Sequence, residues 1–218
     1  MNLTQALESR RLASAKKIPK HKYAGMQAST FELQKAQLAA QAFKTGKTIP
    51  SFELPNVHGD KISSEDLLKC GPLVISFYRG GWCPYYNMEL RALQSVLDQI
   101  KAAGAQLVAI YPETPDHSLS TYEKNKLSFQ VLSDIDNRYA RQLGLVFQLP
   151  RNLREVYRSF HIDVTRHNGN TNYELPMPAT YVVAESGKVI FDFVSEDYTY
   201  RLEPKEVGTT LQNHLPVA

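Results

Sequence analysis

The chain has 218 residues, 43% of them hydrophobic and 22% charged, and carries a net charge of +3; these values fit one core-bearing globular domain with appendages. The small charge and the absence of a Lys/Arg block argue against nucleic acid as a partner, and the longest apolar runs, such as 72–78, are too short to span a bilayer. With no apolar leader segment near the start, the expected location is the cytoplasm.

Residues 1–45 read as a helical extension. Leu3, Ala6 and Leu7 open an amphipathic stretch that Pro19 breaks. A second stretch carries Phe31, Leu33, Leu38, Ala42 and Phe43 and stops near Gly46. Their apolar faces need a cover, either the following domain or a second subunit of a homodimer. Residues 46–218 form the second unit. Pro50 and Pro55 flank a short extended piece, and Ser63 or Ser64 caps a short helix through Leu68. Leu73 to Tyr78 reads as a buried strand, followed by the Gly80-Gly81 turn. Pro84 suits a first helical position, and Tyr86, Leu90, Leu93, Leu97 and Ile100 recur at helical spacing until Gly104. Gln106 to Tyr111 is a second core strand. A helix within 112–125, capped by Thr114 or Ser118, precedes a short strand at 129–132 and a helix at 137–143 that ends at Gly144. Strands at 179–184 and 188–194 enclose a Glu185-Ser186-Gly187 turn, and 204–214 is a closing helix. This alternation predicts an α/β fold with a central mixed sheet flanked by helices.

Two cysteines, Cys70 and Cys83, are too few for a disulfide scaffold, and no Cys/His cluster has zinc-ligand spacing. The six scattered histidines read as surface or hydrogen-bonded groups, and no phosphate-cradling glycine loop is present. Cys83 stands apart by its context, YRGGWCPYY, between a strand and a helix. Only a thiolate is nucleophilic. The positive end of the helix and Arg79, four residues earlier, both favour an anion at this position, so a depressed pKa is expected. The competing reading is a small buried hydrophobe.

The stretch YRGGWCPYY followed by NMELRAL resembles the thioredoxin superfamily and, more closely, the AhpC/TSA peroxiredoxin-like family with its RGGWCPYC-type centre. ISSEDLL with PLVISFY, AIYPETPDHSLSTYEKNKLSFQVLSD, ELPMPATYVV and DYTYRLEP extend the similarity over about 48–211. Two departures are visible. Tyr86 stands where a local CxxC would place its second cysteine. With its cysteine laid on Cys83, the peroxiredoxin pattern PxxxTxxC falls on Ser76 and Gly80.

The resemblance implies a thioredoxin-like fold and a thiol peroxidase reducing hydrogen peroxide or organic hydroperoxides. Cys83 becomes a sulfenic acid and is regenerated by an external thiol, thioredoxin or a small thiol, with no metal or organic cofactor. It also implies a cis Pro178 packed beside the Cys83 thiol. Trp82 and Tyr86 are candidates for an apolar pocket wall, although the spacing of Tyr86 suits the core equally. Arg201 is a candidate to approach the thiol or peroxide, or else a solvated partner of Asp197 or Glu203. Cys70, a strand's length away, is not expected to resolve Cys83. Two rival functions are a monothiol disulfide oxidoreductase or glutathione-linked protein, and a non-catalytic binding module.

Overall fold

A computed structural model of the chain describes residues 2–214. The chain opens with α1 (Leu3–Lys17), α2 (Lys20–Lys35) and the single turn α3 (Leu38–Gln41). Asn2 and Gln5 form a reciprocal capping box at the start of α1. Pro19 separates the two long helices and serves as the N-cap residue of α2. A left-handed Gln37 turns the chain into α3.

Strands β1 (Glu53–Pro55) and β2 (Lys61–Ser63) form a small antiparallel ladder. Ser63 caps α4 (Ser64–Lys69), its hydroxyl accepting from the Glu65 N–H at 3.2 Å. There follow β3 (Leu73–Phe77), α5 (Pro84–Ser95), α6 (Leu97–Ala102), β4 (Gln106–Tyr111), α7 (Pro115–Asn125) and β5 (Gln130–Ser133). Thr114 is the N-cap residue of α7; the alternative, Ser118, has a side chain outside the described residues. After α8 (Arg138–Gln142) come β6 (Val146–Gln148), α9 (Arg151–Ser159), α10 (Val164–Asn168) and β7 (Glu174–Pro176). The chain closes with β8 (Ala179–Val183), β9 (Val189–Val194) and α11 (Pro204–His214).

Among the described residues the central sheet runs β5-β4-β3-β8-β9, parallel from β3 to β5 and antiparallel from β3 through β8 to β9. Period-two alternation splits β3 between two cores. Leu73, Ile75 and Phe77 pack with Tyr139, Leu143 and Leu145 on one face, whereas Val74 packs with Tyr86, Leu90 and Leu93 of α5 on the other.

The helix expected from Pro84 to Gly104 is two helices. Val96 leaves the helical region (φ −110°, ψ 6°), and Ser95 turns its hydroxyl back onto the Ala92 carbonyl at 2.7 Å, offering the backbone a competing partner. The segment 145–178, unassigned from sequence, supplies β6, α9, α10 and β7.

The N-terminal helices lie on the rest of the chain. α1 packs along α5 and α2 along α9. Leu3 and Leu7 enter the α5-side core, and Lys22 donates to the Ser159 hydroxyl at 2.8 Å. Leu7 is 3% exposed, so Leu7→Ala is expected to cost about 2–5 kcal/mol. That loss would be read as a lower urea midpoint at unchanged slope; an unchanged midpoint would mean that α1 does not stay docked in solution.

Candidate active site

The site is built where β3 ends. Gly80, at φ +150°, and Gly81 carry the chain from the strand to α5. A Cβ at Gly80 would strike the Trp82 indole and the Glu113 carboxylate, and one at Gly81 would strike the Thr121 hydroxyl, so neither position has room for a side chain. The Gly81 peptide is held on both sides. Its N–H donates to Glu113 at 3.0 Å, and its carbonyl accepts from the Asn87 amide at 2.7 Å. The same Asn87 amide reaches the Cys83 carbonyl at 3.0 Å. Asn125 fixes Asn87 at 2.7 Å, and Arg91 in turn donates to Asn125 at 2.8 Å. Behind Glu113, which is 1% exposed, stands the His167 Nδ1 at 2.8 Å.

Cys83 is the N-cap residue of α5, with Pro84 beginning the helix. It is 4% exposed and borders a cavity of about 260 Å³. Aromatic side chains dominate the walls: Trp82, Tyr85, Tyr157, Phe160 and Tyr198. Trp82 meets Tyr157 edge-on at 5.4 Å, and Tyr85 meets Tyr198 at 5.5 Å. Burial raises the pKa of the Tyr157 and Tyr198 phenols, so they stay protonated.

Two buried guanidiniums flank the thiol. Arg79 donates to the Pro176 carbonyl at 3.3 Å and lies over the rings of Phe147 and Tyr198. Arg201 bonds Glu89 at 2.5 Å and the Tyr198 and Tyr200 carbonyls at 2.7 and 2.5 Å. Its remaining terminal nitrogen, Nη2, is buried without a hydrogen-bond partner.

Burial raises the Cys83 pKa and outweighs the forces pulling it down, which are the Arg201 charge, the Tyr86 N–H, the Arg79 charge and the Tyr85 N–H. The depressed pKa expected from the helix start is therefore reversed at this buried position, because desolvation penalises the thiolate more than the nearby cations favour it.

The other expectations divide. Trp82 lines the cavity, but Tyr86 does not: it is fully buried in the α5-side core beneath Arg201, whose guanidinium lies 3.9 Å from its ring centre. Arg201 is buried and pairs with Glu89, not with Asp197 or Glu203. Pro178 is buried, but no peptide bond among the described residues is cis. The Met177 N–H is bound by the Leu145 carbonyl and the Pro178 carbonyl by the Ser195 N–H, which keeps this stretch extended from β7 into β8. Pro178 does not line the cavity. Cys70 is exposed at the end of α4, with β3 between it and Cys83.

Sequence reasoning missed Glu89, although a signal was present: a carboxylate at helical core spacing with Tyr86, Leu90 and Leu93 marks a buried charge in need of a partner. It also missed Arg10, Ser14, Ile18 and Met26, which α1, the interhelical turn and α2 contribute to the cavity; no local pattern announces such a contact.

A buried thiol at a helix start, beside the end of a central parallel strand and flanked by two arginines, defines a thioredoxin-fold thiol protein. The chain belongs to the AhpC/TSA family, whose profile matches residues 45–191. It is 28% identical over 102 residues to peroxiredoxin Bcp of Escherichia coli K12, covering 47% of this chain and 65%, under two thirds, of that protein. It is 30% identical over 127 residues to the chloroplastic peroxiredoxin Q of Sedum lineare, covering 57% of this chain and 67% of the relative. Among solved structures, peroxidoxin BcpB of Mycobacterium tuberculosis superposes with a TM-score of 0.63 at 21% identity, over 79% of this chain and 99% of the other. A cysteine-to-serine mutant of the Arenicola marina peroxiredoxin 6 gives 0.64 at 17%, over 78% and 72%. At these identities the superpositions establish the fold.

One motif register is corrected. Ser76 lies in β3, between β4 and β8, and its hydroxyl faces Glu89 at 3.4 Å. A proline in so central a strand would remove a ladder bond, so Ser76 is not the counterpart of the PxxxTxxC proline. Moved three residues on, the pattern falls on Arg79, Cys83 and Tyr86. Cys83 then holds the threonine place and Tyr86 the cysteine place.

Because burial raises the Cys83 pKa, alkylation by iodoacetamide is expected to rise with pH to a midpoint above the ordinary thiol value of about 8.5. The unfolded thiol ionises first, so this group's contribution to stability is intact below about pH 8.5 and declines as pH rises further. Glu89→Gln leaves the Arg201 charge less compensated and should lower the midpoint. A rate profile centred below the free-thiol value in the wild type would contradict the balance described.

Proposed function

We propose that this protein is a thiol peroxidase acting through Cys83. The thiolate attacks one peroxide oxygen, the O–O bond breaks, and the other oxygen leaves as water or an alcohol after taking up a proton. Cys83 is left as a sulfenic acid. The observation that carries this reading is the position of Cys83: at the start of α5, against an apolar cavity, with Arg79 and Arg201 beside it. Both cations suit a thiolate or a developing oxyanion. The names of the relatives, peroxiredoxin Bcp and peroxiredoxin Q, support peroxide reduction as the family's chemistry, with Cys83 three residues before the place of the motif cysteine.

Hydrogen peroxide and organic hydroperoxides are the proposed substrates, and thioredoxin or a small thiol the reductant. The two free cysteines suit a reducing compartment, and we take it to be the cytoplasm; no helix among the described residues is long and apolar enough to cross a membrane. The proposed division into an extension at 1–45 and a thioredoxin-like domain at 46–218 is supported by the family match beginning at residue 45. A homodimer belongs to the same proposal, with Leu12 and Phe31 on the N-terminal helices as the exposed apolar side chains it has to offer.

A second reading, monothiol disulfide exchange, is favoured by one observation. The corrected motif register gives Tyr86 the cysteine place, and Arg201 stacks on that ring. In this reading Cys83 forms mixed disulfides and does not react with peroxide.

Equimolar hydrogen peroxide with a sulfenic-acid trap separates the two. The peroxidase reading expects rapid trapping at Cys83, loss of turnover in Cys83→Ser and full turnover in Cys70→Ser when an external thiol is supplied. A five-residue strand spans about 17 Å, against the ~7 Å between Cα atoms that a disulfide allows, so an intrachain Cys70–Cys83 bond is not expected. Oxidation of Cys83 no faster than that of a free thiol would refute the peroxidase.

A further inference from the structure

Access to the Cys83 sulfur runs through a cavity that the N-terminal helices help to line. Arg10, Ser14, Ile18 and Met26 line it together with Tyr85, Tyr157 and Phe160, and α1 packs along α5. Its volume, about 260 Å³, lies just below the usual range for small-molecule sites, about 300–1,000 Å³. A disulfide with a protein cysteine requires that residue's Cα within about 7 Å of the Cys83 Cα. The partner's backbone, and the surface carrying it, would then have to enter the space that α1 and α2 border. A free small thiol has no such attachment. Among the described residues, the charged side chains lining the cavity are Arg10, exposed, and Arg79, 2% exposed, with no carboxylate beside them.

We propose that the co-reactant of Cys83 is a small thiol bearing a carboxylate, steered by Arg10, and that the docked N-terminal helices exclude protein dithiols. This rests on the reading of Cys83 as the redox thiol and names its partner class. The sulfenic acid and one thiol give a mixed disulfide and water. A second thiol attacks that disulfide, returning Cys83 as a thiol and leaving as the small-molecule disulfide, so two thiols are oxidised for each peroxide reduced.

The test needs no peroxide. In full-length Cys70→Ser protein, exchange with hydroxyethyl disulfide places a 2-hydroxyethylthio group on Cys83 as a mixed disulfide and releases 2-mercaptoethanol. Removal of that group by glutathione, cysteamine or reduced thioredoxin at equal thiolate concentration is followed by intact mass. Glutathione should be the fastest. Arg10→Ala should slow it about two- to fivefold, the scale of an exposed ion pair, while leaving cysteamine no slower. The proposal is overturned if thioredoxin clears the adduct faster than glutathione, if Arg10→Ala slows both small thiols equally, or if native Cys83 takes no adduct. Peroxide trapping is scored separately. A sulfenic acid that only thioredoxin removes would sink this inference and leave the peroxidase standing. Clearance by glutathione without any sulfenic acid would do the reverse.

Discussion

The site depends on one peptide group. Gly81 gives its N–H to Glu113 and its carbonyl to Asn87, so the turn between β3 and α5 is held from two directions at once. Asn87 also takes the Cys83 carbonyl and is held by Asn125, which links the start of α5 to α7. Inside a protein such a network gains from low dielectric when every member is satisfied and loses heavily when one is not. The position of the sulfur therefore follows from the amide and carboxylate geometry that fixes the turn carrying it.

Around that fixed point, burial and charge work against each other. The aromatic walls remove water and favour the neutral thiol, while Arg201 and Arg79 favour the thiolate. Neither guanidinium is free to leave: Arg79 is caged by Phe147 and Tyr198, and Arg201 is bound by Glu89 and two carbonyls. A buried pair such as Glu89–Arg201 contributes little net stability, because desolvating both ions offsets their attraction. Its effect here is to hold a positive charge at a defined place beneath α5.

Much of this was legible in the residues. The β3 strand, the glycine turn and Pro84 at the helix start are local features with local causes, and β4 emerged over the same residues that the alternation marks. The division at Val96 was not visible, because it arises from a side chain turning onto its own helix. The 145–178 segment was not assigned, although Leu153 and Tyr157 of α9 follow Pro150 at helical spacing and are both buried. The direction of the Cys83 shift was missed for a different reason: charge can be counted along a chain, whereas desolvation depends on what distant segments cover. The same holds for Tyr198 and Tyr157, far from Cys83 in sequence and beside it in space.

The cavity joins two parts of the chain that carry different constraints. Trp82, Cys83 and Tyr85 belong to a turn and helix locked into the central sheet and its hydrogen-bond network, where few substitutions fit. Arg10 and Ser14 project from α1, which Leu3 and Leu7 anchor, and Ile18 and Met26 from the turn and α2 that follow, with α2 resting on α9. Changes at those four positions can therefore reshape what reaches the sulfur while leaving the Arg79 and Arg201 charges beside it in place. Chemistry and selectivity become separable traits, open to divergence at different rates among chains that keep the same sheet.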